Sequence, residues 1–173
     1  MKKISLFIIA TSLFLIIYVL FSSLKIDKVY DTKNLVGKPI PELDLKLLNE
    51  TKTFNTKEIN KNNFTLINFF SSWCAPCRQE HKYLIELKKN NNLKIIGINF
   101  KDEKAKANEF LKKLGNPYHL ILSDNTGKES VNFGVYGIPE TILVDKNLIT
   151  LKKYIGPLNN LDVKEILKLT KEQ

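Results

Sequence analysis

The sequence predicts an α/β fold in which a central mixed sheet carries helices on both faces. Two apolar runs, "TLINFF" (65–70) and "KIIGINF" (94–100), lack strict alternation, which is typical of strands buried on both sides. A stretch with helical spacing follows each run, so strand and helix alternate along the chain. Two adjacent strands and a last helix then close the domain, which makes the expected sheet mixed.

The other elements follow from local patterns. "PELDLKLL" and "TKTF", separated by the turn-like Asn49–Glu50, predict an amino-terminal hairpin. After Cys74 the apolar residues fall at helical spacing as far as the asparagines 90–92, and a lysine-rich helix runs from about 102 to Gly115. The rest predicts the strand "HLILSD", a turn at 125–127, a short helical piece in "GKESVNFG", the strands "ETILVD" and "LITLKKYIG", and a helix from about 161 to 168.

The amino-terminal part has a different character. Residues 4–24 carry no charge and would form a helix of about 30 Å, the thickness of the hydrocarbon layer. We expect residues 1–3 in the cytoplasm, a transmembrane anchor over 4–24, a tether over 25–37 and a folded domain over 38–173. A cleaved signal peptide is the alternative, but its apolar stretch spans only ~7–15 residues and ends in an A-x-A-like site. Lysines flank the stretch on both sides, so charge alone leaves its orientation open.

Composition limits the classes of function. Hydrophobic residues make up 43% of the chain and charged residues 26%, which are globular values. The formal net charge is +9, but the lysines are scattered and do not interleave with aromatic residues. We therefore expect a solvated lysine-rich surface and no nucleic-acid partner.

Cys74 and Cys77 are the only cysteines, and they lie in "WCAPC" between a predicted buried strand and a predicted helix. As a staple they would close almost no loop. A structural zinc site needs four ligands, and His81 and His119 do not complete a usual spacing, so no metal and no other cofactor are expected. At a helix N-terminus, unpaired N–H groups and the helix dipole lower the pKa of Cys74 and make it the attacking sulfur. The pair is therefore interpreted as a dithiol/disulfide exchange site in which the more buried Cys77 resolves the mixed disulfide.

The surrounding residues resemble a known family. "WCAPC" after a buried strand is similar to the thioredoxin superfamily. The blocks "GKPIPELDL" (37–45), "NFFSSWCAPCRQEH" (68–81) and "FGVYGIPETILVD" (133–145) resemble the membrane-anchored thiol:disulfide interchange proteins of cytochrome c biogenesis, the DsbE/CcmG type. The resemblance implies a thioredoxin-like fold and a single-pass protein of the inner membrane with its catalytic domain in the periplasm.

The resemblance also implies partners. The substrates would be oxidised CxxCH segments of apocytochrome c or a haem-lyase partner thiol protein, and a membrane thiol reductase would supply electrons.

The neutral Ala–Pro between the cysteines favours a reductant over a strong oxidant. A general thioredoxin-like reductant, a disulfide-forming oxidase and a non-catalytic binding module remain alternatives.

Several residue roles rest on the same resemblance. Cys74 would attack and Cys77 would resolve, facing a cis-proline at Pro139. The backbone of Ile138 would pair with the substrate chain. The residues expected to line the substrate groove are Trp73, Tyr136, Ile138, Pro139 and Glu140.

Acidic residues form a second group of candidates. The resemblance implies that Glu80 and Glu140 form an acidic pair near the active site. Asn68 stands where general thioredoxins carry a buried aspartate that shuttles a proton for Cys77, and Glu80 is the candidate for that role. His81, next to it, is expected on the surface of the helix.

Overall fold

The structure, a computed structural model, describes residues 2–24, 35–61 and 63–171. The chain forms two compact units that divide after Asp31. The first unit contains helix α1 (Lys2–Leu24). No helix in the described ranges is both long enough and apolar enough to cross a membrane, so the predicted transmembrane span over 4–24 is not confirmed. Of the predicted tether, only residues 35–37 lie within the described part of the chain.

The second unit is built on a mixed sheet with the strand order β2-β1-β5-β4-β3-β6-β7. The strands are β1 (Asp44–Leu47), β2 (Thr53–Asn55), β3 (Phe64–Phe70), β4 (Leu93–Phe100), β5 (Leu120–Asp124), β6 (Glu140–Asp145) and β7 (Thr150–Ile155). The three central strands β3, β4 and β5 are parallel, and every other pairing is antiparallel. The predicted mixed sheet and amino-terminal hairpin are therefore confirmed.

The helices of this unit are α2 (Ala75–Leu87), α3 (Lys104–Leu114), α4 (Lys128–Asn132) and α5 (Asn160–Leu169). Buried side chains of α2, α3 and α5 share one hydrophobic cluster with one face of the sheet. The cluster on the opposite face includes Ile59 and Phe133, from a 3₁₀ helix over Thr56–Lys61 and from the end of α4. The sequence did not predict the 3₁₀ helix, because so short a turn shows no apolar periodicity.

Side-chain alternation along β3 decides which residues face α2. Leu66 and Phe70 belong to the cluster that contains the α2 side chains, whereas Ile67 and Phe69 belong to the opposite one. Since successive side chains of a strand point to opposite faces, Asn68 points toward α2. It is fully buried in the middle of the sheet.

Candidate disulfide exchange site

Cys74 and Cys77 form a disulfide at the start of α2, with Cα atoms 5.3 Å apart. Cys74 is the N-cap residue, and its Sγ accepts a hydrogen bond of 3.1 Å from the backbone N–H of Cys77. In the reduced protein the same N–H and the helix dipole would stabilise a thiolate on Cys74. Both residues are buried, at 4% and 2% exposure, so burial hardly distinguishes them. The N-cap position is what marks Cys74 as the attacking sulfur.

The connection from β3 to Cys74 is held by the loop that follows β4. The Asp102 carboxylate accepts hydrogen bonds from the backbone N–H of Ser72 (2.6 Å) and from its hydroxyl (2.8 Å). Burial raises the pKa of Asp102, but hydrogen bonds from Asn99, Ser72 and a further backbone N–H outweigh it and bring the pKa below its usual value. The exposed Trp73 indole donates to the carbonyl of Lys101 (3.1 Å), which fixes it at the rim of the site. Sequence reasoning missed this role of Asp102.

A second loop brings backbone to the reacting sulfur. The Ile138–Pro139 peptide bond is cis, as the resemblance implied. The carbonyl oxygen of Ile138 lies 3.7 Å from Cys74 Sγ. Tyr136, in the same loop, is 75% exposed. The structure therefore places Ile138, Pro139 and Tyr136 in one loop that meets the cysteine pair at Ile138.

Glu140 holds this loop by hydrogen bonds from the interior of the protein, and its side chain does not line the surface of the loop. It is the first residue of β6 and is buried. Its Oε1 accepts hydrogen bonds from the backbone N–H groups of Tyr136 (3.1 Å) and Gly137 (3.3 Å). Its Oε2 pairs with Lys153 Nζ at 2.6 Å, and that ammonium also donates to the carbonyl of Gly134 (2.7 Å). Lys153 was not singled out from the sequence.

Glu80 belongs to a separate buried network on the α2 face of the sheet. Its carboxylate accepts hydrogen bonds from Asn68 Nδ2 (2.8 Å) and from the backbone N–H of Leu158 (2.9 Å). The Tyr118 hydroxyl donates to Asn68 Oδ1 (2.8 Å), and Asn68 Nδ2 also donates to Thr141 Oγ1 (3.0 Å). Burial raises the pKa of Glu80 to about 7, against the opposing effect of the hydrogen bonds from Leu158 and Asn68. A carboxyl with that pKa exchanges protons readily at neutral pH.

Tyr118 reaches this network because Gly97 leaves room for its ring. A Cβ at residue 97 would lie 2.9 Å from ring atoms of both Phe70 and Tyr118. These two rings stack with centroids 4.6 Å apart. Burial raises the pKa of Tyr118 well above its usual value, so the hydroxyl remains a donor to Asn68.

The two acids do not form one pair. Thr141 contacts Asn68 on the α2 face of the sheet, so its strand neighbour Glu140 points to the opposite face. Glu80, on α2, lies on the same face as Asn68. The two acids expected near the active site therefore lie on opposite faces of the sheet, and each has its own partners.

His81 is buried, and the expectation of a surface position was wrong. Its Nε2 lies 2.8 Å from the carbonyl oxygen of Gly115, and its ring packs edge-on against Phe110 with centroids 5.0 Å apart. Burial lowers its pKa. Phe110 of α3 covers His81, whereas the preceding residue, Glu80, is covered by the sheet and by the segment before α5.

Known proteins resemble the chain over most of its length. A family profile described as Redoxin matches residues 35–169. The thiol:disulfide interchange protein DsbE of Haemophilus influenzae is 42% identical over 125 residues, which cover 72% of this chain and 68% of that protein. The thiol:disulfide interchange protein CycY of Rhizobium leguminosarum bv. viciae is 49% identical over 105 residues, covering 61% of this chain and 56% of that protein.

The fold has solved counterparts. The crystal structure of a thiol:disulfide interchange protein of the thioredoxin family from Chlorobium tepidum aligns with a TM-score of 0.64 at 22% identity, covering 78% of this chain and 96% of that one. A DsbF homologue from Corynebacterium diphtheriae aligns with a TM-score of 0.66 at 23% identity, covering 76% and 85%. These structures establish the thioredoxin-like fold. The matches in sequence show that the chain belongs to the redoxin family and catalyses thiol:disulfide interchange.

Proposed function

We propose that the protein is a periplasmic reductant that opens disulfides in CxxCH segments of apocytochrome c, or in a haem-lyase partner thiol protein that carries them. The observation that carries the proposal is the Ile138 carbonyl, 3.7 Å from Cys74 Sγ, where an extended substrate chain could pair beside the sulfur. The exposed Trp73 and Tyr136 would contact the same chain. The similarity to proteins named DsbE and CycY supports the cytochrome c assignment. A membrane thiol reductase would return the cysteine pair to its reduced form.

Two exchange steps follow from the geometry. The Cys74 thiolate attacks one sulfur of the substrate disulfide, and the other substrate sulfur leaves with the electron pair and takes up a proton. Cys77 then loses its proton and attacks Cys74 Sγ, which breaks the mixed disulfide; the substrate sulfur leaves with the electron pair and takes up a proton. The substrate leaves as a dithiol, two electrons richer, and the Cys74–Cys77 disulfide of the structure remains.

In this proposal Glu80 accepts the proton of Cys77. Asn68 cannot ionise, so the proton needs another acceptor. Glu80 follows Cys77 by one helical turn, and both side chains are buried. With its pKa raised by burial to about 7, Glu80 can take a proton and give it back near neutral pH.

Substrate preference tests the proposal. We expect the reduced protein to reduce a peptide with an oxidised CxxCH segment at least about tenfold faster than the same peptide with alanine in place of the histidine, because a site that contacts the histidine loses those contacts. The measurement is the second-order rate of peptide reduction, with insulin as a third substrate. Equal rates for all three would identify a general reductant. A reduction potential near about −120 mV would instead identify a disulfide-forming oxidase.

We also propose that the amino-terminal segment anchors the domain in the inner membrane. Large apolar side chains of α1, including Phe7, Phe14 and Tyr18, are exposed, and exposed apolar surface of this kind favours a lipid environment. The full chain should stay with membranes after alkaline carbonate extraction, and a chain that begins at Lys38 should be released. Release of the full chain by carbonate would contradict the anchor. Digestion of the domain by protease added to spheroplasts would establish a periplasmic location.

A further inference from the structure

Lys153 carries a buried charge that the exchange steps do not use. Its side chain in β7 has 0% exposure, and its partner Glu140 has 3%. The ammonium lies between Glu140 Oε2, at 2.6 Å, and the carbonyl oxygen of Gly134, at 2.7 Å. Glu140 and Lys153 come from neighbouring antiparallel strands, and both point to the face of the sheet opposite α2.

Stability alone does not account for such a pair. Removing two charges from water is costly, and well-packed apolar residues in their place are often as stable or more stable. The preceding residue offers a comparison within the same strand. Lys152 is 43% exposed and pairs with Glu165 at 2.7 Å on the surface, where an ion pair contributes little. The two lysines therefore differ chiefly in the partners of their ammonium groups: Lys152 binds a surface carboxylate, and Lys153 binds a buried carboxylate and a loop carbonyl.

The buried pair holds the loop before Pro139 at two points. Lys153 binds the carbonyl of Gly134, at the start of the loop. Glu140 binds the backbone N–H groups of Tyr136 and Gly137, in its middle. The next residue, Ile138, presents its carbonyl to Cys74 Sγ at 3.7 Å. The ion pair thus fixes the backbone that lies beside the reacting sulfur.

We propose that Lys153 is a positioning residue for polypeptide substrates, which holds the 134–138 backbone where a substrate chain must lie for its disulfide to meet Cys74. The proposal deepens the proposed function and rests on its exchange chemistry, but it concerns any polypeptide disulfide, whether or not it belongs to a cytochrome c. A small disulfide needs only the Cys74 sulfur. A polypeptide also needs the loop, because misplacing the docking backbone misaligns the two reacting sulfurs.

The test compares one substitution at two neighbouring positions. Lys153→Met should lower the second-order rate with an oxidised CxxCH peptide by roughly tenfold to a hundredfold, because a misplacement of about 1 Å can cost that much. Its rate with glutathione disulfide should change by less than about threefold, since the position of Cys74 at the start of α2 is untouched. Lys152→Met, the matched control, should leave both rates at wild-type values.

A second variant separates positioning from folding. Glu140→Gln/Lys153→Met removes the pair without leaving a buried charge, and it should show the same selective loss with the peptide, because Gly134 again loses its partner. Equal losses with peptide and glutathione disulfide in this folded variant, or no loss with either, would overturn the proposal. Wild-type reduction of CxxCH and CxxCA peptides at equal rates would defeat only the cytochrome c assignment, since the selective loss can be measured with either peptide.

Discussion

Cys74→Ala is expected to reduce thiol:disulfide exchange to the uncatalysed background, whereas Cys77→Ala is expected to accumulate a mixed disulfide through Cys74. Only Cys74 occupies the N-cap of α2, where the Cys77 N–H contacts its sulfur at 3.1 Å. Loss of this sulfur removes the attacking group. Loss of Cys77 leaves the first step intact and removes the second, so the substrate stays bound to the protein. Non-reducing electrophoresis and mass spectrometry of the adduct would measure both results and identify the partner.

The double variant Cys74→Ala/Cys77→Ala is the control and should trap nothing. The disulfide closes a loop of only a few residues, and its loss should cost about 2 kcal/mol of stability. Reduced wild-type protein is therefore the correct reference for folding. If folded Cys77→Ala trapped no protein and no peptide, the domain would be a binding module without exchange chemistry.

The architecture was predictable because its strongest signals are local. The runs at 64–70 and 93–100 are apolar on both faces, as expected for strands that lie between helices and other strands, and both proved to be central strands. Gly115 ends α3 with a φ of 88°, a conformation that glycine adopts at little cost. The helix after the cysteines begins and ends within about two residues of the expected positions.

The site was less predictable because its partners are distant in sequence. The carboxyl group of Glu80 accepts a hydrogen bond from the backbone N–H of Leu158, 78 residues away, and no local sequence pattern predicts that contact. Charged residues are mostly exposed, so nothing local in the sequence predicts that Glu80, Glu140 or Lys153 is buried. The two glutamates were singled out by the resemblance, and Lys153 was overlooked. One signal was present for Lys153. Adjacent strand residues point to opposite faces, so the two neighbouring lysines in β7 had to meet different surroundings.

The second large effect that we expect is a loss of folding stability as pH rises, caused by the ionisation of Glu80. Its usual pKa of 4.5 applies to the unfolded chain, and burial raises the folded value to about 7. Below pH 4.5 both states hold the proton, and Glu80 has no effect on the free energy of unfolding. Between pH 4.5 and 7 the unfolded state releases the proton while the folded state keeps it, so stability falls as pH rises. Above pH 7 the loss is constant at roughly 3 kcal/mol.

Glu80→Gln isolates this contribution. The pKa values of His81 and His119 are lowered by burial, so both histidines make stability rise with pH over part of the same range. Because both histidines are also present in the variant, their effect cancels in the difference between the two proteins. The free energy of unfolding of wild type minus that of Glu80→Gln, measured with urea at fixed redox state, should fall by about 3 kcal/mol from pH 4.5 to 8. Glu86→Gln, which changes an exposed carboxylate of the same helix, should retain the wild-type pH profile. A difference that stays flat for Glu80→Gln would mean that Glu80 is ionised in the folded protein at pH 5, and it could not then receive a proton from Cys77 near neutral pH.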